Sequence, residues 1–250
     1  MRTRLLVVGL VGVTALSSIG EVEASGAARH VVVAVTCAPG SIHRTRTQEV
    51  SFAAVAVRQL KARRALNQRS GTHFETRNVN GVPTVFGVLE ARVDRHCRPT
   101  HYKVQLPIRP TGTTGWVRAV DVRLRTVRTR IAVDLSQRRI TLFRDGRAVL
   151  VTTAVIGAPS TPTPTGRFYV NQRLLAANPT GAYGPGAVGI SAFSPVLLNW
   201  AQGGPIAIHG TNAPSLIGTR ASNGCIRVHN EDIVRIMKLA PTGTPVEIRA

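Results

Sequence analysis

The chain has 250 residues, of which 43% are hydrophobic and 18% charged, so it is predicted to fold rather than to remain disordered. Aromatic residues make up only 4%, while Val, Thr, Gly and Pro are plentiful, and this favours short strands and turns over a helical bundle. The net charge of +20 predicts adhesion to anionic polymers.

The N-terminal segment has the layout of a secretory signal. Arg2 and Arg4 precede an apolar run over residues 5–16, and Val22-Glu23-Ala24 forms a small-x-small cleavage site. We therefore predict a signal peptide over residues 1–24 and export of the protein. An uncleaved segment that tethers the protein to a membrane is the alternative, although the apolar run is short for a span. Export disfavours nucleic acid as the anionic partner and leaves lipid or acidic wall polymers.

Residues 29–123 are predicted to form a small β-rich domain. Asn80-Gly81 between two valines and Pro110-Thr-Gly112 supply turn signals. Residues 52–66 carry a competing helix signal, because Arg, Lys, Ala and Leu dominate their second half. The apolar runs are 31–35, 50–57, 82–93, 102–106 and 116–122.

Residues 124–250 are predicted to form a second β domain. Apolar residues alternate at 131, 133 and 135 and again at 140 and 142, and Asp145-Gly146 supplies a tight turn before residues 148–155. Residues 161–166 (TPTPTG) predict a rigid turn that leads into a strand at 167–170.

The last third of the chain changes character. Residues 176–195 are rich in Gly and Pro, and we expect a loop or lid there. A short apolar strand at 206–208 ends on His209. Asn230 is predicted to cap a helix whose first turn is acidic and which Pro241 closes, and a final strand follows at 243–248.

Three cysteines allow three pairings. Cys37 and Cys97 both lie in the first half, so a disulfide between them would leave Cys225 free. The other two pairings stay open, but a free Cys225 fits its surroundings better. A thiol attacks only as thiolate, which requires a nearby base or cation.

The stretch around Cys225 supplies such groups. His209 lies sixteen residues before the cysteine and can return to it if the loop folds back. Gly224 permits a tight turn that directs backbone N–H groups at a developing oxyanion. Arg227 can stabilise a thiolate or hold a substrate carboxylate.

The motifs Ile-His-Gly-Thr at 208–211 and Ser-Asn-Gly-Cys-Ile-Arg at 222–227, followed by Asn230, resemble the signature of the L,D-transpeptidase family with its YkuD-type catalytic domain. Pro-Thr-Gly at 164–166 looks like a further turn of that family. The resemblance covers about residues 128–249. It implies a mainly β fold, with a YkuD-like β-sandwich and a short C-terminal helix in residues 124–250.

The resemblance also assigns roles to residues. Cys225 would be the nucleophile and His209 its base, with the imidazole oriented by the Gly210 carbonyl. The N–H groups of Gly224 and Cys225, with Asn223, would form the oxyanion hole. The site-shaping residues would be Ser222, Arg227 and Thr211. Asn223 departs from the family pattern, in which this position is frequently His, and the change bears on substrate fit.

The implied reaction takes place on peptidoglycan stem peptides in the cell wall or periplasmic space. Cys225 would form a thioester with the diamino acid at the third position of a tetrapeptide, release the terminal D-alanine and pass the acyl group to the side-chain amine of a neighbouring stem. No metal or organic cofactor is implied.

Two alternatives accompany this interpretation. Hydrolysis of the thioester would make the protein an L,D-carboxypeptidase or another thiol peptidase of the wall. A non-catalytic wall-binding protein would retain Cys225 as a relic.

In residues 29–123, Gly115-Trp-Val is similar to the end of bacterial SH3-like wall-binding modules. The alternative for this domain is a β domain that only positions its neighbour, with Trp116 in its core.

Overall fold

The computed structural model describes residues 37–47 and 49–250. The predicted signal peptide and the apolar run 31–35 lie outside these residues. No helix in the described ranges is long and apolar enough to cross a lipid bilayer. The first-half strands are β1 Ile42–Arg44, β2 Ser51–Ala56, β3 Leu60–Ala62, β4 Thr72–Phe74, β5 Val85–Val93, β6 Pro99–Gln105, β7 Thr114–Arg118 and β8 Val122–Val127.

These strands form a six-stranded sheet in the order β7-β6-β5-β2-β8, with β1 also paired to β5, and a separate β3-β4 pair. The helix signal at 52–66 is wrong, because β2 and β3 occupy that segment. Both faces of β2 are covered, and five of its six residues are buried. The β-branched and small side chains there pack on a sheet rather than along one helix face. Trp116 is buried.

The second half forms an eight-stranded sheet and one described α-helix, so the predicted mainly β fold is confirmed. The sheet order is β11-β10-β9-β18-β13-β14-β15-β17, and β12 pairs with β16 outside it. The elements are β9 Thr129–Asp134, β10 Arg139–Arg144, β11 Arg147–Thr153, β12 Ile156–Gly157, β13 Gly166–Leu175, β14 Gly186–Phe193, β15 Pro205–His209, β16 Arg220–Ser222, β17 Ile226–Arg227, α1 Asn230–Leu239 and β18 Pro245–Arg249.

The predicted alternation appears directly in the burial of β9, where Ile131 and Val133 are fully buried and their neighbours are not. Asp145 and Gly146 both adopt positive φ between β10 and β11, as a tight hairpin turn requires. The expectation of a loop over the whole of 176–195 is wrong, because β14 occupies Gly186–Phe193 in the middle of the sheet. Burial on both faces of β14 removes the polar alternation that would have revealed a strand.

The two large sheets pack against each other through Tyr169. Its side chain is completely buried, and its hydroxyl donates a 3.1 Å hydrogen bond to the Val85 carbonyl on β5. Gly87 lies against the ring, and a Cβ there would come within 2.9 Å of it. A second link is the 3.0 Å hydrogen bond from Gln105 Nε2 to the Arg167 carbonyl. These contacts fix residues 166–175, and through β14 the strand β15, relative to the first sheet.

Candidate active site

Parallel pairing of β15 with β17 brings His209 and Cys225 to one edge of the large sheet. The register places Ile208 opposite Ile226 and His209 opposite Arg227. Paired residues on neighbouring strands share a face, so the side chains of His209 and Arg227 lie on the same side. Cys225 comes directly before β17, two residues from Arg227, and its thiol lies 3.9 Å from the Pro205 carbonyl at the start of β15. Residues that are sixteen positions apart in sequence are thus brought to the same sheet edge, with Cys225 level with Ala207, two residues before His209.

His209 is buried, with 4% of its surface exposed. Its Nδ1 lies 2.6 Å from the Gly210 carbonyl oxygen. A carbonyl only accepts, so Nδ1 carries the proton and Nε2 is the ring nitrogen with a free lone pair. Burial lowers the pKa of His209 to about 4; the hydrogen bond to Gly210 raises this pKa and the charge of Arg227 lowers it further. At neutral pH the imidazole is therefore neutral and able to accept a proton.

Cys225 is a free, partly exposed thiol. Burial raises its pKa, while a hydrogen bond from the backbone of Ala207 and the charge of Arg227 act in the opposite direction. At neutral pH the resting groups are consequently a neutral thiol and a neutral imidazole. A thiolate at Cys225 would therefore require a base that accepts the thiol proton.

Arg227 supplies the positive charge of the site. Its Nε is buried and has no hydrogen-bond partner in the described part of the chain. The guanidinium acts electrostatically on both His209 and Cys225. A buried donor without an acceptor is suited to an anion that arrives with the substrate or develops during the reaction.

Ser222 and Gly224 shape the backbone that presents the thiol. Ser222 is buried, and its hydroxyl donates to the Cys225 carbonyl at 2.5 Å. The same hydroxyl oxygen accepts the N–H of Gly224 at 3.2 Å. The Gly224 N–H, which the sequence predicted as an oxyanion donor, therefore has the Ser222 hydroxyl as its partner in the structure. Asn223 is exposed at the tip of this loop.

Gly224 is required at its position for two reasons. Its φ is +105°, a conformation that residues with a Cβ rarely adopt. A Cβ there would also lie 3.1 Å from Ile206 Cδ1.

Two threonines of the 161–166 turn hold the cysteine loop, and sequence reasoning missed this role. Thr161 Oγ1 donates to the Ser222 carbonyl at 2.9 Å, and Thr163 Oγ1 donates to the Gly224 carbonyl at 2.9 Å. Thr163 is buried and its Oγ1 also accepts the N–H of Gly157 at 2.9 Å. The alternation of Thr with Pro was the available signal, because Pro fixes the backbone while each Thr offers a hydroxyl.

Asn230 holds the loop that follows His209. Its Oδ1 accepts the N–H of Thr211 at 2.8 Å, and Thr211 is itself buried. The prediction that Asn230 caps the helix is wrong: α1 begins at Asn230, His229 occupies the capping position, and no side chain in the described ranges makes a capping hydrogen bond. A Cβ at Gly210 would collide with Asn230 Oδ1, so a glycine is needed where the Asn side chain crosses.

Tyr183 completes the surroundings of the histidine. Its ring centroid lies 4.8 Å from that of His209, with the ring planes tilted by 55°, and half of its surface is exposed. It lies in the Gly/Pro-rich segment for which the sequence predicted only a loop or lid. Only the tertiary packing revealed that one residue of this segment contacts the imidazole. Among the described residues, no group of three or more His, Cys, Asp or Glu is arranged to hold a metal ion.

Comparison with known proteins connects this geometry to a family. Residues 128–248 match the sequence model of the L,D-transpeptidase catalytic domain. The chain is 34% identical over 123 residues to YkuD of Bacillus subtilis strain 168, a candidate L,D-transpeptidase, and the match covers 49% of this chain and 67% of YkuD. It is 38% identical over 95 residues to the Escherichia coli K12 protein YbiS, covering 36% of this chain and 28% of YbiS.

Among solved structures, a mutant L,D-transpeptidase of Enterococcus faecium is similar at 28% identity with a TM-score of 0.39. That match covers 48% of this chain and 49% of the Enterococcus protein, so the chain spans about half of its length.

Proposed function

Because the chain belongs to the L,D-transpeptidase family, we propose that it cross-links peptidoglycan stem peptides through a thioester on Cys225. The observation that carries the proposal is the hydrogen bond from Nδ1 of His209 to the Gly210 carbonyl, because it leaves Nε2 as the nitrogen that can accept a proton. The β15–β17 pairing brings a free, partly exposed thiol to the same sheet edge. Arg227 contributes a positive charge next to both groups.

In the first step Cys225 Sγ bonds to the carbonyl carbon of the diamino acid at the third position of a stem tetrapeptide. The thiol proton passes to Nε2 of His209 as the bond forms. The N–H of Cys225 stabilises the oxyanion. The C–N bond to the terminal D-alanine then breaks, its nitrogen takes the proton from His209, and a thioester remains.

In the second step the side-chain amine of a neighbouring stem attacks the thioester carbonyl. A new C–N bond forms, the C–S bond breaks, and the amine proton returns through His209 to the thiolate. The product is a cross-link between two diamino acids. Water in place of the amine would give hydrolysis, so the identity of the acceptor separates a transpeptidase from an L,D-carboxypeptidase.

We further propose that the protein is exported and acts at the cell wall. The layout of residues 1–24 supports this location. The Cys37–Cys97 disulfide also supports it, because such bonds persist in oxidising compartments.

Intact-mass spectrometry tests the proposed chemistry. Separate samples of the protein are incubated with a carbapenem or with a disaccharide tetrapeptide. The expected results are one carbapenem adduct per chain in the first sample, and a thioester adduct with release of D-alanine in the second. Cys225→Ala should give no adduct. His209→Gln should slow adduct formation by about 10²–10⁴-fold, the usual contribution of a general base.

Muropeptide analysis of the reaction products gives the second readout. Dimers joined through two diamino acids support transpeptidation, whereas tripeptide monomers alone would assign the protein to the hydrolytic class. Absence of both an adduct and any product with the wild-type chain would refute the proposal and favour a non-catalytic wall-binding protein.

A further inference from the structure

A cavity rich in arginine lies where the first sheet meets the large sheet, away from Cys225. Its volume is about 360 Å³, which lies within the range of small-ligand pockets. Its walls come from the segment before β2 and from β9, β13 and β18. The charged side chains that line it are Arg46, Arg130, Arg167, Arg249, Glu49 and Glu247.

The acidic side chains do not neutralise this cavity. Glu247 is paired with Arg249 at 2.9 Å and with Arg167 at 3.7 Å. The hydrogen bond from Arg249 is the largest cause that keeps the pKa of Glu247 below its usual range. The charges of Arg249, Arg167 and Arg130 lower this pKa further. Glu49 is exposed. Four guanidinium groups against two carboxylates leave the lining with two excess positive charges.

Two of the arginines lack a carboxylate within ion-pair distance in the described part of the chain. Arg46 is partly buried, and its Nε is buried without a hydrogen-bond partner. Burial lowers the pKa of Arg46 and the nearby charge of Arg167 lowers it further, while the charge of Glu247 acts in the opposite direction. Arg130 lies with its guanidinium carbon 3.9 Å from the centroid of the Phe143 ring, so an aromatic face holds this side chain.

We propose that this cavity binds a phosphate group carried by an anionic polymer. A buried N–H such as Arg46 Nε without an acceptor is unfavourable, and a phosphate supplies several oxygens that arginines from different strands can reach together. Thr47 and Ser51 also line the cavity, and their hydroxyls already donate to the carbonyls of Val50 and Val127. The volume of the cavity leaves room for a polyol or sugar unit of the polymer next to the phosphate.

The cavity is separate from the proposed catalytic residues. β13 lies three places from β17 in the sheet order, and neighbouring strands are about 4.8 Å apart, so roughly 14 Å or more separates them. Phosphate bound there would hold the protein on a polymer while Cys225 stays accessible. This inference does not depend on the proposed reaction.

Calorimetric titration at constant ionic strength tests the site, with inorganic phosphate, glycerol phosphate and acetate as probes. The double variant Arg46→Gln/Arg167→Gln is compared with Arg123→Gln/Arg125→Gln, which removes the same charge from exposed positions of β8. We expect the cavity variant to weaken phosphate binding about tenfold or more per arginine, and the β8 variant to bind as the wild type does.

Equal weakening in both variants would overturn the proposal, since it would indicate only a diffuse positive surface. Acetate that binds as tightly as phosphate would overturn it in favour of a carboxylate site. If the double variant does not fold, Arg46→Gln alone remains informative, because it leaves both ion pairs of Glu247 in place. Phosphate should then raise the thermal midpoint of the wild type and not that of Arg46→Gln.

Discussion

Burial of His209 predicts that acid destabilises the folded chain through this one residue. The pKa of His209 falls from 6.5 to about 4 on folding, because the folded environment disfavours the imidazolium. The unfolded chain therefore binds the proton at a higher pH than the folded chain. Stability from the neutral imidazole is fully present above pH 6.5 and is lost as the pH falls towards 4.

The magnitude follows from the two pKa values. Linkage between protonation and folding gives a loss of about 2 kcal/mol in the free energy of unfolding at pH 5 and about 3 kcal/mol at pH 4. His209→Gln removes the titrating group, and its amide can still donate to the Gly210 carbonyl. The unfolding free energy of the wild type minus that of the variant should therefore be lower than at pH 7 by about 2 kcal/mol at pH 5 and by about 3 kcal/mol at pH 4.

Urea unfolding followed by far-ultraviolet circular dichroism at pH 7, 6, 5 and 4 measures this difference. Subtraction of the variant cancels the titration of every group that the two proteins share. His73→Gln, which removes an exposed imidazole from β4, is the matched control. A difference between wild type and His209→Gln that stays constant to within about 0.5 kcal/mol from pH 7 to pH 4 would refute the reasoning.

Three further outcomes are expected. Thr163→Val should lower the free energy of unfolding by about 1–3 kcal/mol, because it leaves the buried Gly157 N–H and Gly224 carbonyl unsatisfied. Thr163→Ser keeps the hydroxyl and is the control, and equal stability of the Val and Ser variants in urea would contradict this prediction. Reduction of the Cys37–Cys97 bond, which closes a loop of 60 residues, should cost about 4 kcal/mol of unfolding free energy, and an unchanged thermal midpoint would count against it. Asn230→Ala should slow acylation by a carbapenem with little change in fold by circular dichroism, since Thr211 loses its acceptor, and Asn230→Asp should restore the rate.

The elements that sequence predicted well are those whose two faces differ. The alternation in β9 and the Asp145-Gly146 turn appear in the structure as predicted, because one face is buried and the turn needs positive φ. β14 was missed because it is covered on both sides and contains glycine. The helix signal at residues 52–66 was wrong for a related reason, since the short side chains of this segment are compatible with either a helix or a packed sheet.

Asn230 illustrates a second limit of sequence reasoning. An Asn before an acidic helical turn is a typical capping residue, and the helix does begin there. Its oxygen instead accepts from Thr211, a residue that lies nineteen positions earlier and is adjacent only in the folded chain. A local pattern cannot indicate which of two competing donors a side chain will meet.

Sequence by itself identified the mainly β fold, the family and the residues that come together at the sheet edge, because these depend on local pattern and on a motif kept within a short stretch. Tertiary structure alone decided which of these groups are hydrogen-bonded and which are free. It paired the Gly224 N–H with Ser222, placed the Tyr183 ring against His209 and left Arg227 Nε without a partner among the described residues. The physical reason is that hydrogen bonding and desolvation depend on neighbours contributed by distant strands, and β15 meets β17 only through the parallel pairing of the folded sheet.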